Sequence, residues 1–524
     1  MAGDRSLSIF LLFMLQFPLL HGAKILTICF LGGSHYLLMD EISRILHSNG
    51  HEVRMFHKFW QGMLPGYKLR TSPYPVTTYS LDKKYFEEYE EFFTEYQRDF
   101  FMGKREIQPY FRMMGLHSDQ CNVTLNQSLL LQSLRDEKYD VAIVDAHNPC
   151  TLLVSEALGL PYIAFFPMIF ANAPLNILPV DLSYVPLFQS QLSDRIDFLG
   201  RLQNTIMYFG SLLVEMKIEA IFLDPLKGHF PDHSRPSLSD LYRKAELWIF
   251  NLDFTIELPR PLLPHIQYIG GLLAKPANPL SQELEDYISE SGESGFIVVT
   301  LGSMISSSPQ IALLKEMNAG FARIPQIVIW RFQRSHWPKE LQLAPNVRLL
   351  DWVSQNDLLG HPKIRLLVTH GGLNSLMEAV YHGVPVLGIP LFGDQFDNLV
   401  RITAKHMGTF IPVLEIKSES FANTMRHVIE NKSYKMSAMN LSVIRKSRPF
   451  PPDQQLLRWV EHIIQSGGGG HLHPYSYQQP WYQQYLLDVI LFLCLSIALI
   501  LYLIVKIFKL LIGKICFATK QKMS

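Results

Sequence analysis

The chain has 524 residues, enough for three or four domains of ~150 residues or for two large ones. Its 47 Lys plus Arg equal its 47 Asp plus Glu, so it lacks the basic excess of a nucleic-acid binder. Apolar residues at 48% against 18% charged exclude wholesale disorder, and five Cys exclude a disulfide-stapled scaffold or a multi-zinc protein.

Residues 1–23 read as a secretory signal peptide. Arg5 supplies a basic start, Ile9–Leu20 an apolar run, and His21-Gly22-Ala23 small residues for cleavage. Lys24–Phe30 follows as an apolar strand, broken by Gly32-Gly33-Ser34. His35–His47 then places Leu37, Leu38, Ile42 and Leu46 at helical spacing, and Gly50 ends that helix. His51–His57 is a second strand, so the segment is a βαβ unit and implies a parallel sheet. Its two histidines stand too far apart for the helical metalloprotease pattern. Tyr139–Asp145 is another strand, followed by a helix over 151–158 and the strand Pro161–Phe166.

Gly270-Gly271 and Lys275-Pro276-Ala277-Asn278-Pro279 form a turn-rich connector. After it the alternation restarts, with strands over 295–301, 326–332, 346–352, 364–369 and 384–390. The expected class is α/β, two facing Rossmann-like domains over residues 24–275 and 276–466. Residues 467–484 read as a linker, with Gly467–Gly470 as its hinge. The apolar run 485–505 has the length of a bilayer-spanning helix. Asp488 lies near its start, and Trp481, Tyr482 and Tyr485 sit on its leading side. Lys506, Lys509, Lys514, Lys520 and Lys522 follow it. That asymmetry keeps 506–524 as a cytosolic basic tail and makes the chain a type I membrane protein with a lumenal body. Lys520 and Lys522 resemble the dilysine retrieval signal of endoplasmic reticulum membrane proteins.

Asn122, Asn126, Asn431 and Asn440 stand in glycosylation sequons. Cys494 and Cys516 lie in or beyond the span. That leaves Cys29, Cys121 and Cys150, among which at most one disulfide forms, and Cys29 reads as a buried core thiol.

In doubly wound sheets ligands bind beyond the carboxyl ends of the strands. The strand Arg365–His370 ends in His370-Gly371-Gly372-Leu373-Asn374-Ser375, where a helix begins. Glycines let a ligand approach the backbone, and a helix N-terminus offers N–H groups to a diphosphate. The strand 384–390 ends in Pro390-Leu391-Phe392-Gly393-Asp394-Gln395, whose carboxylate and amide suit sugar hydroxyls. His35 and Asp145 stand past two strand ends of the first sheet. A neutral imidazole, with an ordinary pKa near ~6.5, takes a hydroxyl proton at neutral pH. A carboxylate on its other nitrogen fixes the tautomer.

The stretch Trp352–Asn398 resembles the donor-binding signature of the UDP-glycosyltransferases of glycosyltransferase family 1, and the resemblance covers nearly the whole chain. Within the superfamily it is most similar to vertebrate UDP-glycosyltransferase family 3, with the ceramide galactosyltransferase branch nearby. The resemblance implies a GT-B fold, with acceptor held by the first half and UDP-sugar by the second. Matched by position, Trp352 stacks on uracil, Gln355 contacts base or ribose, and Glu378 holds ribose hydroxyls. Ser303, His370, Gly372, Asn374 and Ser375 hold the diphosphate, Asp394 and Gln395 the sugar. His35 and Asp145 match the family's catalytic dyad, and the reaction is a single displacement that inverts the anomeric centre.

No Asp-x-Asp motif is present, so no metal is expected. No cofactor is expected either, since the UDP-sugar is a co-substrate. Phe392, apolar beside the sugar pocket, mildly favours a plain hexose. UDP-glucose or UDP-N-acetylglucosamine rank first, then UDP-glucuronate, with UDP-galactose and UDP-xylose also used in the family. Arg260 matches an arginine associated with carboxylate binding in glucuronosyl members and discriminates poorly. The segments 86–115 and 165–222, rich in Phe, Met and Leu, suit small lipophilic acceptors such as phenols, sterols or bile acids; core and membrane-facing surface is the plainer reading. A ceramide-type galactosyltransferase, a detoxifying glucuronosyltransferase and a non-catalytic membrane partner of active relatives are the alternatives. Homo- or hetero-oligomers with related transferases stay open. An adhesion receptor is disfavoured by the βα alternation and the few cysteines.

Overall fold

The computed structural model describes residues 22–58, 71–104, 106–168, 178–302 and 310–522, with side chains to residue 513. The expected signal peptide falls almost wholly outside these residues, and Ser303 falls outside them too.

The first half builds one parallel sheet from β1 (Lys24–Cys29), β2 (Glu52–Lys58), β3 (Val76–Tyr79), β4 (Val141–Asp145), β5 (Tyr162–Phe166), β6 (Leu247–Phe250) and β7 (Ile266–Tyr268). Their order is β3-β2-β1-β4-β5-β6-β7. The second half builds a parallel sheet from β8 (Phe296–Thr300), β9 (Ile327–Arg331), β10 (Val347–Leu350), β11 (Ile364–Thr369), β12 (Val386–Gly388) and β13 (Gly408–Phe410), ordered β10-β9-β8-β11-β12-β13. The central strands are mostly apolar and almost wholly buried, Lys24 of β1 and Arg365 of β11 being partly exposed. Parallel strands covered by helices on both faces require that composition. β12 is shorter than the strand expected over 384–390, because Pro385 and Pro390 at its flanks cannot donate to a ladder.

The helices that bear on the site are α1 (Ser34–Ser48), α2 (Lys83–Phe101), α3 (Gln108–Leu125), α4 (Phe198–Ile221), α5 (Leu373–His382), α6 (Gln395–Ala404), α7 (Lys432–Lys446) and α8 (Pro452–Gln465). α8 follows the second sheet in sequence yet packs on α1 of the first, where Glu461 Oε1 lies 3.8 Å from His51 Nε2. Buried ion pairs join the halves: Asp253 Oδ2 meets Arg445 Nη1 at 2.8 Å and Arg448 Nη1 at 3.0 Å, and Glu257 meets Arg401 at 3.3 Å. Asp397 on α6 accepts the backbone N–H groups of Gln189 and Gln191. Removing one member of such a buried pair costs about 3–5 kcal/mol, so these contacts fix how the two sheets face each other.

Cys121 on α3 and Cys150 form a disulfide, and Cys29 is a buried free thiol. Within the glycine run expected as a hinge, one residue is anchored to the first half. Gly469 donates its N–H to Glu246 Oε2 at 2.6 Å, and only a residue without a side chain approaches that backbone so closely.

The described residues up to Gly470 pack as one unit, and those from His471 form a second. The second unit contains α9 (Leu487–Lys522). Its 27-residue stretch Leu487–Gly513 is long and apolar enough to cross a membrane. The helix runs past the expected end at 505 because Ile507, Phe508, Leu510, Leu511 and Ile512 continue the apolar sequence with no breaker. At 1.5 Å per residue this is roughly 40 Å, longer than a bilayer core of roughly 30 Å, an excess that tilt accommodates.

Candidate active site

Each sheet reverses its strand order once, between β1 and β4 and between β8 and β11. The loops beyond these strand ends line one cavity of about 640 Å³. It is bordered by His35 and His147 from the first half and by Trp352, His370, Glu378 and Asp394 from the second.

On the first side, β1 leads into α1, whose first turn carries His35, and β4 ends at Asp145. The two strands are paired neighbours, so these side chains meet: His35 Nδ1 lies 2.8 Å from Asp145 Oδ2. Both are buried, Asp145 completely. Burial alone would raise the Asp145 carboxyl. The His35 charge and hydrogen bond, with help from His147, overrule it and hold the carboxyl below its ordinary value. The backbone N–H of His147 donates to Asp145 Oδ1 at 3.2 Å. Such a pair leaves the other imidazole nitrogen to face a hydroxyl.

On the second side, Gly371 takes φ 90°, a left-handed value that spares the chain a side chain as it turns from β11 into α5. α5 begins at Leu373 with Gly372 as N-cap and no side chain capping it. Asn374 and Ser375 therefore lie in a first turn whose N–H groups suit an anion. His370 is clamped by glycine backbone: a Cβ on Gly302 would approach its Nε2 to 2.8 Å, and one on Gly372 to 2.5 Å. Burial, then the Arg331 charge, pushes the His370 imidazole down to about 4, so at neutral pH it is uncharged and offers one N–H.

Glu378, half-buried on α5, accepts from Gln355 Nε2, and desolvation pushes its carboxyl up to about 8. Burial likewise pushes Asp394 up to about 6, against the pull of an Asn398 amide 2.6 Å away. Gln395 lines the cavity, but its Oε1 accepts the N–H groups of Leu391 and Phe392 at 2.9 and 3.0 Å. That oxygen shapes the loop, so any sugar contact falls to the amide nitrogen. Asn374 Oδ1 accepts from Asn251 Nδ2 at 2.9 Å, a contact between the halves at the cavity itself.

Three features of this site escape a reading of the sequence. Arg331, at the end of β9, lays its guanidinium over the Trp352 ring at 4.4 Å and donates to the Gly302 carbonyl at 2.7 Å. Its place at a strand end was the available signal. His147 puts its ring 5.0 Å from that of His35, and nothing in a short loop announces this. Phe392 stacks on Phe100 of α2 at 4.4 Å, so this part of the cavity wall is built by both halves. Conversely, Arg260 does not line the cavity; it donates to the Pro179 carbonyl at 3.2 Å. Among the described residues no cluster of three or more His, Cys, Asp or Glu is placed to hold a metal ion.

Two parallel doubly wound sheets meeting at one cavity, with a His/Asp pair on one wall and an uncapped helix N-terminus on the other, define a GT-B glycosyltransferase. Solved structures agree on the fold: the glycotransferase of kitacinnamycin aligns with TM-score 0.58 at 15% identity, over 85% of this chain and 99% of its own. The calicheamicin glycosyltransferase CalG4 aligns with TM-score 0.58 at 14% identity, over 84% and 98%. The family model for UDP-glucoronosyl and UDP-glucosyl transferase matches residues 23–523. UDP-glucuronosyltransferase 3A1 of Xenopus laevis is 56% identical over 522 residues, 100% of each chain. UDP-glucuronosyltransferase 3A2 of Homo sapiens is 43% identical over 493 residues, 94% of each. The 2-hydroxyacylsphingosine 1-beta-galactosyltransferase of Homo sapiens is 32% identical over 92% of this chain and 87% of its own. The chain belongs to the UDP-glucoronosyl and UDP-glucosyl transferase family and is a UDP-glycosyltransferase.

Proposed function

We propose that this enzyme moves a sugar, from UDP-glucose or UDP-N-acetylglucosamine, to a hydroxyl of a small lipophilic acceptor with inversion at the anomeric carbon. The observation that carries the reading is the buried His35–Asp145 pair sharing one cavity with the N-terminus of α5. His35 Nε2 takes the acceptor's hydroxyl proton as that oxygen bonds to the anomeric carbon. The bond from that carbon to the diphosphate oxygen breaks, and UDP leaves with its electron pair. Asp145 steadies the imidazolium. The first turn of α5, neutral His370 and Arg331 face the charge that develops on the diphosphate.

Trp352 and Glu378 are assigned to the nucleoside, and Asp394 and the Gln395 amide nitrogen to sugar hydroxyls. The Phe392–Phe100 stack offers no polar partner to an acetamido or carboxylate group, which supports a plain hexose first. Arg260, away from the cavity lining, gives no support to UDP-glucuronate. The acceptor side is walled by Phe93, Tyr96, Tyr110, Met113, Met207 and Val214, which favours phenols, sterols or bile acids. The candidate span, the lysine tail, the sequons and the Cys121–Cys150 bridge together support an endoplasmic reticulum membrane protein with a lumenal body. Asn126 and Asn440 are the exposed sequon residues.

The test pairs membrane-expressed protein with phenols, sterols and bile acids and with five donors: the UDP derivatives of glucose, N-acetylglucosamine, glucuronate, galactose and xylose. A product with UDP-glucose or UDP-N-acetylglucosamine, abolished by His35→Ala, is expected. UDP-dependent thermal stabilisation without turnover on any pair would favour a non-catalytic partner instead.

A further inference from the structure

Asn251 directly follows β6, where its backbone N–H bonds the Phe166 carbonyl at 2.8 Å. Its side chain is fully buried and engaged at both ends. Oδ1 accepts the N–H of Gly271 at 3.1 Å. Nδ2 donates to the Pro167 carbonyl at 3.3 Å and to Asn374 Oδ1 at 2.9 Å. Two of these partners are backbone groups of fixed polarity, an N–H that only donates and a C=O that only accepts. Together they leave the Asn251 amide a single orientation. The turn that supplies Gly271 is itself held from the second half, since Arg445 of α7 donates to the Gly270 carbonyl at 2.6 Å.

That fixed amide dictates the next one. Asn251 has only an N–H to offer Asn374, so Asn374 answers with its carbonyl oxygen. Its amide nitrogen is left over. Asn374 is half-buried in the first turn of α5 and lines the cavity, and among the described residues its Nδ2 has no hydrogen-bond partner. An unheld amide could turn either end to a ligand. Its carbonyl end would oppose an anion that the N–H groups of the same turn attract.

We propose that Asn251 is a positioning residue for the donor: it orients the Asn374 amide from the opposite half, so that Nδ2 rather than Oδ1 faces the diphosphate. This rests on the assignment of Asn374 to the diphosphate. Donor affinity then depends on the junction between the halves, since the clamp and the amide it turns belong to different ones.

The test is calorimetric titration of the detergent-solubilised full chain with UDP and with uridine, which lacks the diphosphate. Asn251→Asp keeps the shape and the bond to Gly271 but offers Asn374 only oxygen. It should draw the Asn374 N–H groups to itself, turn the carbonyl to the cavity and weaken UDP roughly 10- to 150-fold. Asn251→Ala releases the amide and should weaken UDP about 2- to 10-fold. Uridine should bind both variants as it binds the parent, which also shows that they are folded. Asn374→Ala and the double variant Asn251→Ala, Asn374→Ala complete a cycle. With the Asn374 amide gone, the change at 251 should cost UDP nothing further. Additive losses, or equal losses for UDP and uridine, would overturn the proposal and leave Asn251 a structural residue. Weaker UDP binding by Asn374→Ala, with normal binding by both Asn251 variants, would overturn it and keep the diphosphate assignment. UDP binding indifferent to Asn374→Ala would remove that assignment and the proposal with it.

Discussion

The ring of His147 lies 5.0 Å from the ring of His35, tilted by 61°, in a cavity wall that both share. Asp145 faces both histidines: Oδ2 meets His35 Nδ1, and Oδ1 accepts the backbone N–H of His147. Burial, then the His35 charge, pushes His147 down to about 3, so its ring stays neutral throughout the working range. His147 is therefore read as a positioning residue for the base.

His147→Ala is expected to lower kcat about tenfold, since ~1 Å of misplacement costs up to ~100-fold. The KM for UDP-sugar should stay put. His147→Phe, which restores a ring but no proton, should recover much of the loss. Equal rates for the Ala and Phe variants would remove the packing role.

Asp145→Asn keeps the shape of the pair but withdraws the anion and favours the wrong tautomer. By analogy with the serine-hydrolase arrangement, a fall of about 10³–10⁴-fold in kcat is expected. UDP-dependent thermal stabilisation should be retained, because the substitution sits on the acceptor wall. A kcat within tenfold of the parent would mean that Asp145 does not steady the imidazolium.

Arg331→Gln removes the guanidinium from the Trp352 face and from the Gly302 carbonyl. The two contacts together are worth about 1–3 kcal/mol, so KM for UDP-sugar should rise roughly 5- to 150-fold. Arg331→Lys should recover little, since an ammonium neither stacks nor forks. Steady-state kinetics with varied donor decides this; a change in acceptor KM alone would misplace Arg331.

Glu378 makes the donor-free protein pH-sensitive. Its carboxyl ionises near ~4.3 in the unfolded chain and near 8 in the fold. Between those values the folded state binds the extra proton, so stability falls as pH rises. The depressed imidazoles of His147 and His370 act with the opposite sign, but only below about pH 6.5. From pH 6.5 to 8 the loss through Glu378 is about 1–2 kcal/mol. Thermal unfolding across that window should show the decline in the parent and a flatter curve for Glu378→Gln. Parallel curves would show that the carboxyl is already ionised.

What the sequence makes legible is what local chemistry must declare. Glycines at strand ends and the apolar runs between them place His35, Asp145, His370 and Asn374 before any fold is known, because a parallel strand and its loop are contiguous in the chain; Glu378 is singled out by the family resemblance alone. What stays hidden depends on contacts between distant segments. Arg331 at the end of β9 reads as an ordinary polar strand terminus until Trp352 arrives from the next strand. That the Gln395 side-chain carbonyl closes its own loop, leaving only the amide nitrogen for a ligand, is not legible in the sequence. That Glu246, far away in the sequence, takes up the N–H of Gly469 is not legible in the run Gly467–Gly470.

The Phe100–Phe392 stack bears on how specificity is inherited in such an enzyme. Phe392 lies on the second-half loop before Asp394, while the ring that backs it belongs to α2 of the first half. On the proposed assignment of Phe392 to the sugar pocket, sugar choice is not a portable property of the second half. A chimera that exchanged halves between relatives would carry Phe392 away from the surface that orients it, and residues at 100 and 392 would have to travel as a pair.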